Sequence, residues 1–358
     1  MFQYKVHQVL PNMEYGDAIS NYALLLQQTL RRLGFQSNIY AQYIHPRLRR
    51  NTIPLASMSR CAADEKIIWL FHYSIVSDIT RQMREMRGRV VLLYHNITPP
   101  DLSIGGENFF SSKLYAGLQD LKSFVDIPVM AVGSSAYNMK QLESVGFKRT
   151  EILPIILNYS LFDRAPDPAI MHRFNDGMVN FVTVSRIYPH KKIEDILRVF
   201  YYYQNLINPN SRLFIIGDSK GMEWYYDQLI NFHHKLNLQN VIFTGRVRFR
   251  ELIAYYRLAR IYLCMSEHEG FGVPLLECMY LGIPIIAYNC SAVGETLDDA
   301  GVLVNEKKCG EIAELAHLIL SDQDLRTRII NKQKDRALAF QPDSLISRLQ
   351  KILALAAQ

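Results

Sequence analysis

Glu269 and Glu277 frame a short turn, Gly270-Phe271-Gly272-Val273-Pro274, with seven residues between the two carboxylates. Ionised carboxylates only accept hydrogen bonds, so next to an anion site they suit hydroxyls rather than phosphate. The turn itself suits the anion. An apolar run, Ile261 to Met265, precedes it and reads as a buried strand; a run of good helix formers, Leu275 to Leu281, follows it. Strand, glycine turn and helix N-terminus leave backbone N–H groups facing whatever sits above the turn. Pro274 at the first helical position lacks only a donor that would have had no partner. Glu277 is placed in the first helical turn, where it also complements the helix dipole. A ligand with both phosphates and many hydroxyls is a nucleotide sugar.

Two cations upstream fit the same ligand. Ser185-Arg186-Ile-Tyr-Pro-His-Lys191 follows an apolar run and reads as the loop after the opening strand of a second domain. Arg186 offers a bidentate fork and Lys191 a point charge, enough to neutralise a diphosphate. Taken singly these are ordinary loop cations. Their placement on the strand-end edge that also carries the glycine turn is what points to phosphate.

The elements that must position these residues alternate along the chain. In the first half Val6–Leu10, 37–41, 66–71, 89–94 and 128–132 read as strands, with the loop Pro11 to Asp17 after the first. Ala18–Leu33 reads as an amphipathic helix stopped by Gly34, and helical patterns lie near 75–86, 107–122 and 134–145. After a linker at Asp163–Pro168 the alternation restarts. Strands fall at 180–185, 213–217, 241–245, 261–265, 283–288 and 302–304, helices near 192–206, 223–236, 249–258, 274–281 and 309–320. Such alternation predicts parallel sheets with helices on both faces, and ligands at the carboxyl ends of the strands. His72 and His95 sit at such ends. His95 is the better functional candidate, because His95-Asn-Ile-Thr-Pro-Pro100 is a polar loop stiffened by two prolines. The expected domains are 1–165, 166–340, and a C-terminal helix over 341–358 that packs back on the first domain.

Composition narrows the class. Apolar residues are 49% and charged residues 21% of 358, the balance of a globular protein with no run long enough to span a membrane. Five cysteines without a Cys-x-x-Cys argue for a reduced, cytoplasmic protein without a structural metal. The net charge of +6 lies mostly in the first half, where 18 Lys and Arg face 13 Asp and Glu. It includes Arg47, Arg49 and Arg50, and also Arg81, Arg84 and Arg87, spaced to share a helical face. That basic stripe is a solvated face or a dock for an anionic membrane or lipid phosphate. Nucleic acid is disfavoured, with no basic patch interleaved with aromatics. No Gly-x-Gly-x-x-Gly, Walker loop or Gly-x-Ser-x-Gly appears, and Asp322-Gln-Asp324 reads as a helix start, not a ligand set. No metal is expected at the chemistry.

With these residues in view, the second half resembles glycosyltransferase family 4, retaining enzymes of the GT-B fold. The likeness runs through Ser185 to Lys191, Gly245-Arg-Val247, Glu267 to Glu277, Ile283–Tyr288 and Gly294-Glu-Thr296. The first half resembles the family more loosely, through Tyr94 to Pro100 and Ser135 to Asn138. Ser185 departs from it, since the family often has Gly before the Arg.

The resemblance implies a GT-B architecture, two doubly wound Rossmann-like domains facing across a cleft, the first binding acceptor and the second nucleotide sugar. It implies that Glu277 holds the ribose diol, Glu269 the sugar hydroxyls, and Arg186 and Lys191 the diphosphate. Backbone N–H groups at Phe271–Val273 would support sugar and phosphate, the base would lie near Val247, and His95 would approach the donor sugar. No cofactor is implied, the nucleotide sugar being a substrate. The expected reaction moves a hexose, UDP-glucose being the first choice of donor, to a saccharide or lipid-linked saccharide in cell-surface polysaccharide or glycolipid synthesis. A nucleotide-sugar epimerase or hydrolase of the same fold, or a silent binding subunit, remain as alternatives.

Overall fold

The computed structural model describes residues 4–103 and 108–358. Its chain divides into two compact units, one of residues 4–101, 108–158 and 340–358, the other of 102–103 and 159–339.

In the first unit β1 (Lys5–Met13), α1 (Ala18–Arg32), β2 (Ile39–Ile44), β3 (Thr52–Pro54), β4 (Ile67–Tyr73), α2 (Ile79–Met83), β5 (Arg89–Tyr94), α3 (Asn108–Ser123), β6 (Met130–Gly133), α4 (Ala136–Val145) and β7 (Thr150–Ile152) follow in order. The strands form one parallel sheet, β3-β2-β1-β4-β5-β6-β7. Period-2 alternation in β4 sends its side chains to opposite cores. Trp69, Phe71 and Tyr73 join Leu92, Tyr94 and Phe124 on one face. Ile68 and Leu70 join Val91, Leu93 and Val132 on the other, beneath Tyr22, Leu26 and Leu30 of α1. Both faces being covered, the strands read as continuous apolar runs.

The second unit runs α5 (Pro168–Phe174), β8 (Val179–Val184), α6 (Ile193–Tyr202), β9 (Ser211–Ile216), α7 (Glu223–Lys235), β10 (Val241–Gly245), α8 (Phe249–Leu258), β11 (Ile261–Cys264), α9 (Val273–Leu281), β12 (Ile285–Tyr288), α10 (Val293–Leu297), β13 (Val302–Val304), α11 (Cys309–Ser321) and α12 (Gln323–Leu338). Its parallel sheet has the order β10-β9-β8-β11-β12-β13, so β8 and β11 are neighbours at the point where the winding reverses. That is where open α/β sheets bind ligands. The chain then returns to the first unit as α13 (Pro342–Ala356), whose Leu345, Leu349, Ile352 and Leu353 complete the core under β4 to β6.

Several expectations change. β1 runs on through Pro11–Met13, pairing Asn12 with Tyr43 of β2, so the loop begins later than Pro11. Helix α2 spans only five residues, which places Arg81 inside it, Arg84 at its cap and Arg87 beyond it. The three arginines therefore share no helical face; Arg84 turns to the Ser123 carbonyl and lies 5.7 Å from the Phe124 ring. The helical pattern near 107–122 is α3, its residue 107 lying outside the described residues. Asp163–Pro168 is no free linker: Asp167 N–H donates to the Arg250 carbonyl (2.9 Å), Arg250 reaches the Ala165 and Pro166 carbonyls, and Asp167 caps α5. Asp322 does cap a helix, accepting from Leu325 N–H at 2.8 Å, but the helix is α12, a 16-residue element that a polar, weakly periodic sequence concealed. No helix among the described residues is long and apolar enough to cross a membrane.

Candidate functional site

The site is built where β8 and β11 leave the second sheet. After β8 the chain runs into Ser185 and Arg186, and Ser185 N–H still donates to the Ile216 carbonyl of β9 (3.0 Å). Gly217 makes this possible. It sits at φ +144°, and a Cβ there would lie 1.8 Å from the Ser185 carbonyl oxygen. Ile187 N–H then donates to the Asp218 carbonyl at 2.9 Å, pinning the loop from the other side. Arg186 ends up exposed and Ser185 half-buried. The loop closes in a 3-10 turn, Pro189–Lys191, and Lys192 takes a left-handed conformation at φ 50° before α6 begins.

Lys191 does not stand apart from the carboxylates. Its Nζ donates to Glu269 Oε1 at 2.7 Å, both side chains being about one-sixth exposed. The glycine turn and the cationic loop are also joined by backbone, since Glu267 N–H donates to the His190 carbonyl at 2.8 Å. His190 and His268, which lie between the named residues in sequence, are buried, and desolvation pushes His190 down to about 2, so it stays neutral.

The turn from 266 to 272 is held by the next strand's loop. Glu269 N–H donates to Ser291 Oγ (2.7 Å), Ala292 N–H to the Glu269 carbonyl (3.2 Å) and Thr296 Oγ1 to the Phe271 carbonyl (2.6 Å). Gly272 caps α9 at φ 87°, a left-handed conformation that costs a side chain dearly. No side chain among the described residues caps this N-terminus, Pro274 brings no N–H, and Leu275 N–H turns back to the Gly272 carbonyl at 2.9 Å. Phe271 is buried, Gly270 and Val273 are half-buried, and Val247 lies half-buried two residues past β10.

Glu277 is corrected in two respects. Helix α9 starts at Val273, which moves Pro274 to the second helical position and Glu277 beyond the first turn, too far in to be explained by the dipole. Instead Tyr256 of α8 donates its hydroxyl to Glu277 Oε2 at 2.5 Å. Burial raises the carboxyl to about 7, although the Tyr256 hydrogen bond opposes that rise.

Three further residues belong to the arrangement. Tyr256 is one, and its signal was a tyrosine on the apolar face of an amphipathic helix, where a buried O–H requires a partner. Ser291 carries no such signal. Lys307 donates to Asp195 Oδ2 and Glu267 Oε1, both at 2.9 Å, and tethers the glycine turn to α6. His95 and His72 lie in the first unit, hydrogen-bonded to each other at 2.8 Å. Among the described residues no group of three or more His, Cys, Asp or Glu side chains is placed to hold a metal ion.

A strand-end pair of cations, a helix N-terminus that no described side chain caps and two framing carboxylates thus occupy one edge of one sheet. Residues 171–336, spanning all of these second-unit features, match the model of the family described as glycosyl transferases group 1. Through this segment the chain is similar to that family. Over 182 residues it is 25% identical to an uncharacterized glycosyltransferase of Methanocaldococcus jannaschii, covering 50% of this chain and 49% of that protein. Over 99 residues it is 33% identical to the O-antigen chain mannosyltransferase B of Escherichia coli, covering 28% and 26%. The chain therefore spans about half or less of these curated relatives. Solved structures match over nearly the whole chain. Anabaena HepE in complex with UDP and glucose superposes with a TM-score of 0.76 at 15% identity, covering 98% of this chain and 99% of that one. WaaG, a glycosyltransferase involved in lipopolysaccharide biosynthesis, gives 0.71 at 14%, covering 97% and 99%. The fold is GT-B.

Proposed function

We propose that the protein is a retaining hexosyltransferase that moves a hexose from a nucleotide-diphosphate sugar to a saccharide or lipid-linked saccharide, in cell-surface polysaccharide or glycolipid synthesis. The observation that carries this reading is the Lys191–Glu269 pair, 2.7 Å apart at the turn that leads into α9. A binding site for phosphate and one for hydroxyls are thereby in contact, as a sugar joined to a diphosphate requires. The match of residues 171–336 to the glycosyl transferases group 1 model supports it.

In this reading the donor's diphosphate lies against Arg186, Lys191 and the N–H groups at Phe271–Val273. Glu269 accepts from sugar hydroxyls, Glu277 from the ribose diol, and the base lies near Val247. As the bond from the anomeric carbon to the phosphate oxygen breaks, negative charge grows on that oxygen, and preorganised cations and helix N–H groups stabilise it. The acceptor oxygen forms its bond to the anomeric carbon on the face the diphosphate leaves, and its proton passes to the leaving phosphate. The two cations take the part a divalent metal would otherwise have, so no cofactor is required.

UDP-glucose is the first donor to test. HepE, of the same fold, was solved with UDP and glucose, while the mannosyltransferase relative makes a mannose donor the chief competitor. The acceptor is assigned to the first unit. Its exposed Arg47, Arg49 and Arg50, with Arg47 5.0 Å over the ring of the exposed Tyr15, suit an anionic lipid headgroup layer on the cytoplasmic side. Isothermal titration with UDP-glucose, UDP-N-acetylglucosamine and GDP-mannose, without metal and then with Mg²⁺, tests the reading. One donor should bind without metal and lose its binding in Glu277→Ala. Binding to none of them would defeat it.

A further inference from the structure

Three polar side chains form a line inside the first unit, one from β1, one from the end of β4 and one just after β5. Gln8 Nε2 donates to the Ala23 carbonyl at 3.0 Å, Gln8 Oε1 lies 3.0 Å from His72 Nε2, and His72 Nδ1 lies 2.8 Å from His95 Nε2. One proton placement satisfies all three contacts. The Gln8 nitrogen is committed to a carbonyl, because a flipped amide would set two oxygens against each other. Its oxygen must therefore accept, which puts the His72 proton on Nε2. A neutral imidazole has one N–H, so His72 Nδ1 accepts and His95 Nε2 donates. That leaves His95 Nδ1 as a bare lone pair.

The surroundings agree with neutral, fixed rings. The two imidazoles lie within 9° of parallel with centroids 5.0 Å apart, and Tyr22 packs edge-on against both, at 5.9 and 5.8 Å. Burial pushes His95 down to about 4 and His72 well below the usual histidine range, disfavouring an imidazolium. His95 Nδ1 is itself buried with no hydrogen-bond partner among the described residues. A buried unpaired acceptor calls for an explanation, and a catalytic or ligand role is one. Beside the ring a cavity of about 10 Å³, lined in part by Tyr22, Tyr94 and Ser134, has room for a single water or hydroxyl oxygen.

We propose that Gln8 and His72 are positioning residues that lock His95 in its Nε2–H tautomer, so that Nδ1 accepts a hydrogen bond from a hydroxyl and turns away phosphate or carboxylate oxygens. That the hydroxyl is a donor sugar's rests on the transferase reading; the tautomer does not.

The test is long-range ¹H–¹⁵N correlation on histidine-labelled full-length protein, with His95 assigned through His95→Asn. The wild type should show His95 protonated on Nε2 only. Gln8→Leu, which removes the acceptor facing His72 Nε2, should populate the Nδ1–H form. A wild-type His95 protonated on Nδ1, or a tautomer unmoved by Gln8→Leu, overturns the lock; if Gln8→Leu does not fold, the wild-type spectrum decides alone. Adding UDP-glucose, but not UDP, should shift the Nδ1 resonance upfield, and turnover of Gln8→Leu should fall roughly tenfold with donor KM little changed. The same response to UDP, or none to a donor that calorimetry shows bound, overturns the sugar as hydroxyl source. No donor binding at all counts against the transferase reading and leaves the tautomer result standing.

Discussion

Lys191 Nζ and Glu269 Oε1 stand 2.7 Å apart, so the cation assigned to phosphate and the carboxylate assigned to sugar neutralise each other before any ligand arrives. An incoming diphosphate must share or take over Lys191, freeing Glu269 to accept from hydroxyls. Phosphate binding and sugar binding are then coupled events.

Lys191→Met and Glu269→Gln should therefore be non-additive. Each should lower turnover at least a hundredfold, and the double variant should lose less than their product. A coupling energy of about 1–2 kcal/mol is expected in a double-mutant cycle on kcat/KM. Additive losses would mean that the two side chains act independently.

Glu277 gives the site a pH dependence. Its carboxyl is raised to about 7 in the folded chain, above its ordinary 4.5. Stability from this group is complete below about 4.5 and is lost as pH rises through 7, on the order of 3 kcal/mol in all. Urea unfolding from pH 4.5 to 8.5 should show that decline, and Glu277→Gln should flatten it. Ribose hydroxyls favour the ionised carboxylate, so donor binding at pH 6 should release a proton, seen as buffer-dependent enthalpy.

Tyr256→Phe removes the hydroxyl that holds the Glu277 carboxyl down. Its carboxyl should titrate above 7, and donor affinity at pH 7 should drop about three- to tenfold but recover toward pH 8.5. A loss that is the same at every pH would show that Tyr256 acts on packing instead.

Gly217→Ala introduces a Cβ 1.8 Å from the Ser185 carbonyl oxygen, in a backbone conformation that favours glycine. The strand-end loop carrying Arg186 must shift. Stability should fall by about 2–4 kcal/mol, and donor affinity with it, as measured by thermal unfolding and calorimetry. Gly221→Ala, at φ +81° with nothing within 4 Å of the added carbon, controls for strain without the clash.

Much of this was legible in the sequence because the two sheets are parallel and covered on both faces. β5, β10, α8 and β13 fall where their apolar runs and flanking glycines place them. The placement of the candidate residues after β8 and β11 was also legible, as loops after strands have to display them. What the linear pattern does not carry is contact at long sequence range. Nothing in 256 and 277 announces that two helices bring a hydroxyl onto a carboxylate. Helix α12 was hidden because its buried face is held by Gln333 and Ala337 rather than by large apolar residues. The arginines at 81, 84 and 87 misled because charge spacing says nothing about where a helix stops.

The return of α13 to the first unit has a consequence for how the chain comes to be. Leu345, Leu349, Ile352 and Leu353 seal a core whose other walls are β4, β5 and β6, made more than 200 residues earlier. On a ribosome that releases the chain from its N-terminus, the second unit emerges whole and can fold while the first still lacks a wall. The first-made half is thus the last to mature, and its apolar underside stays a liability for chaperones until residue 353 has cleared the exit tunnel.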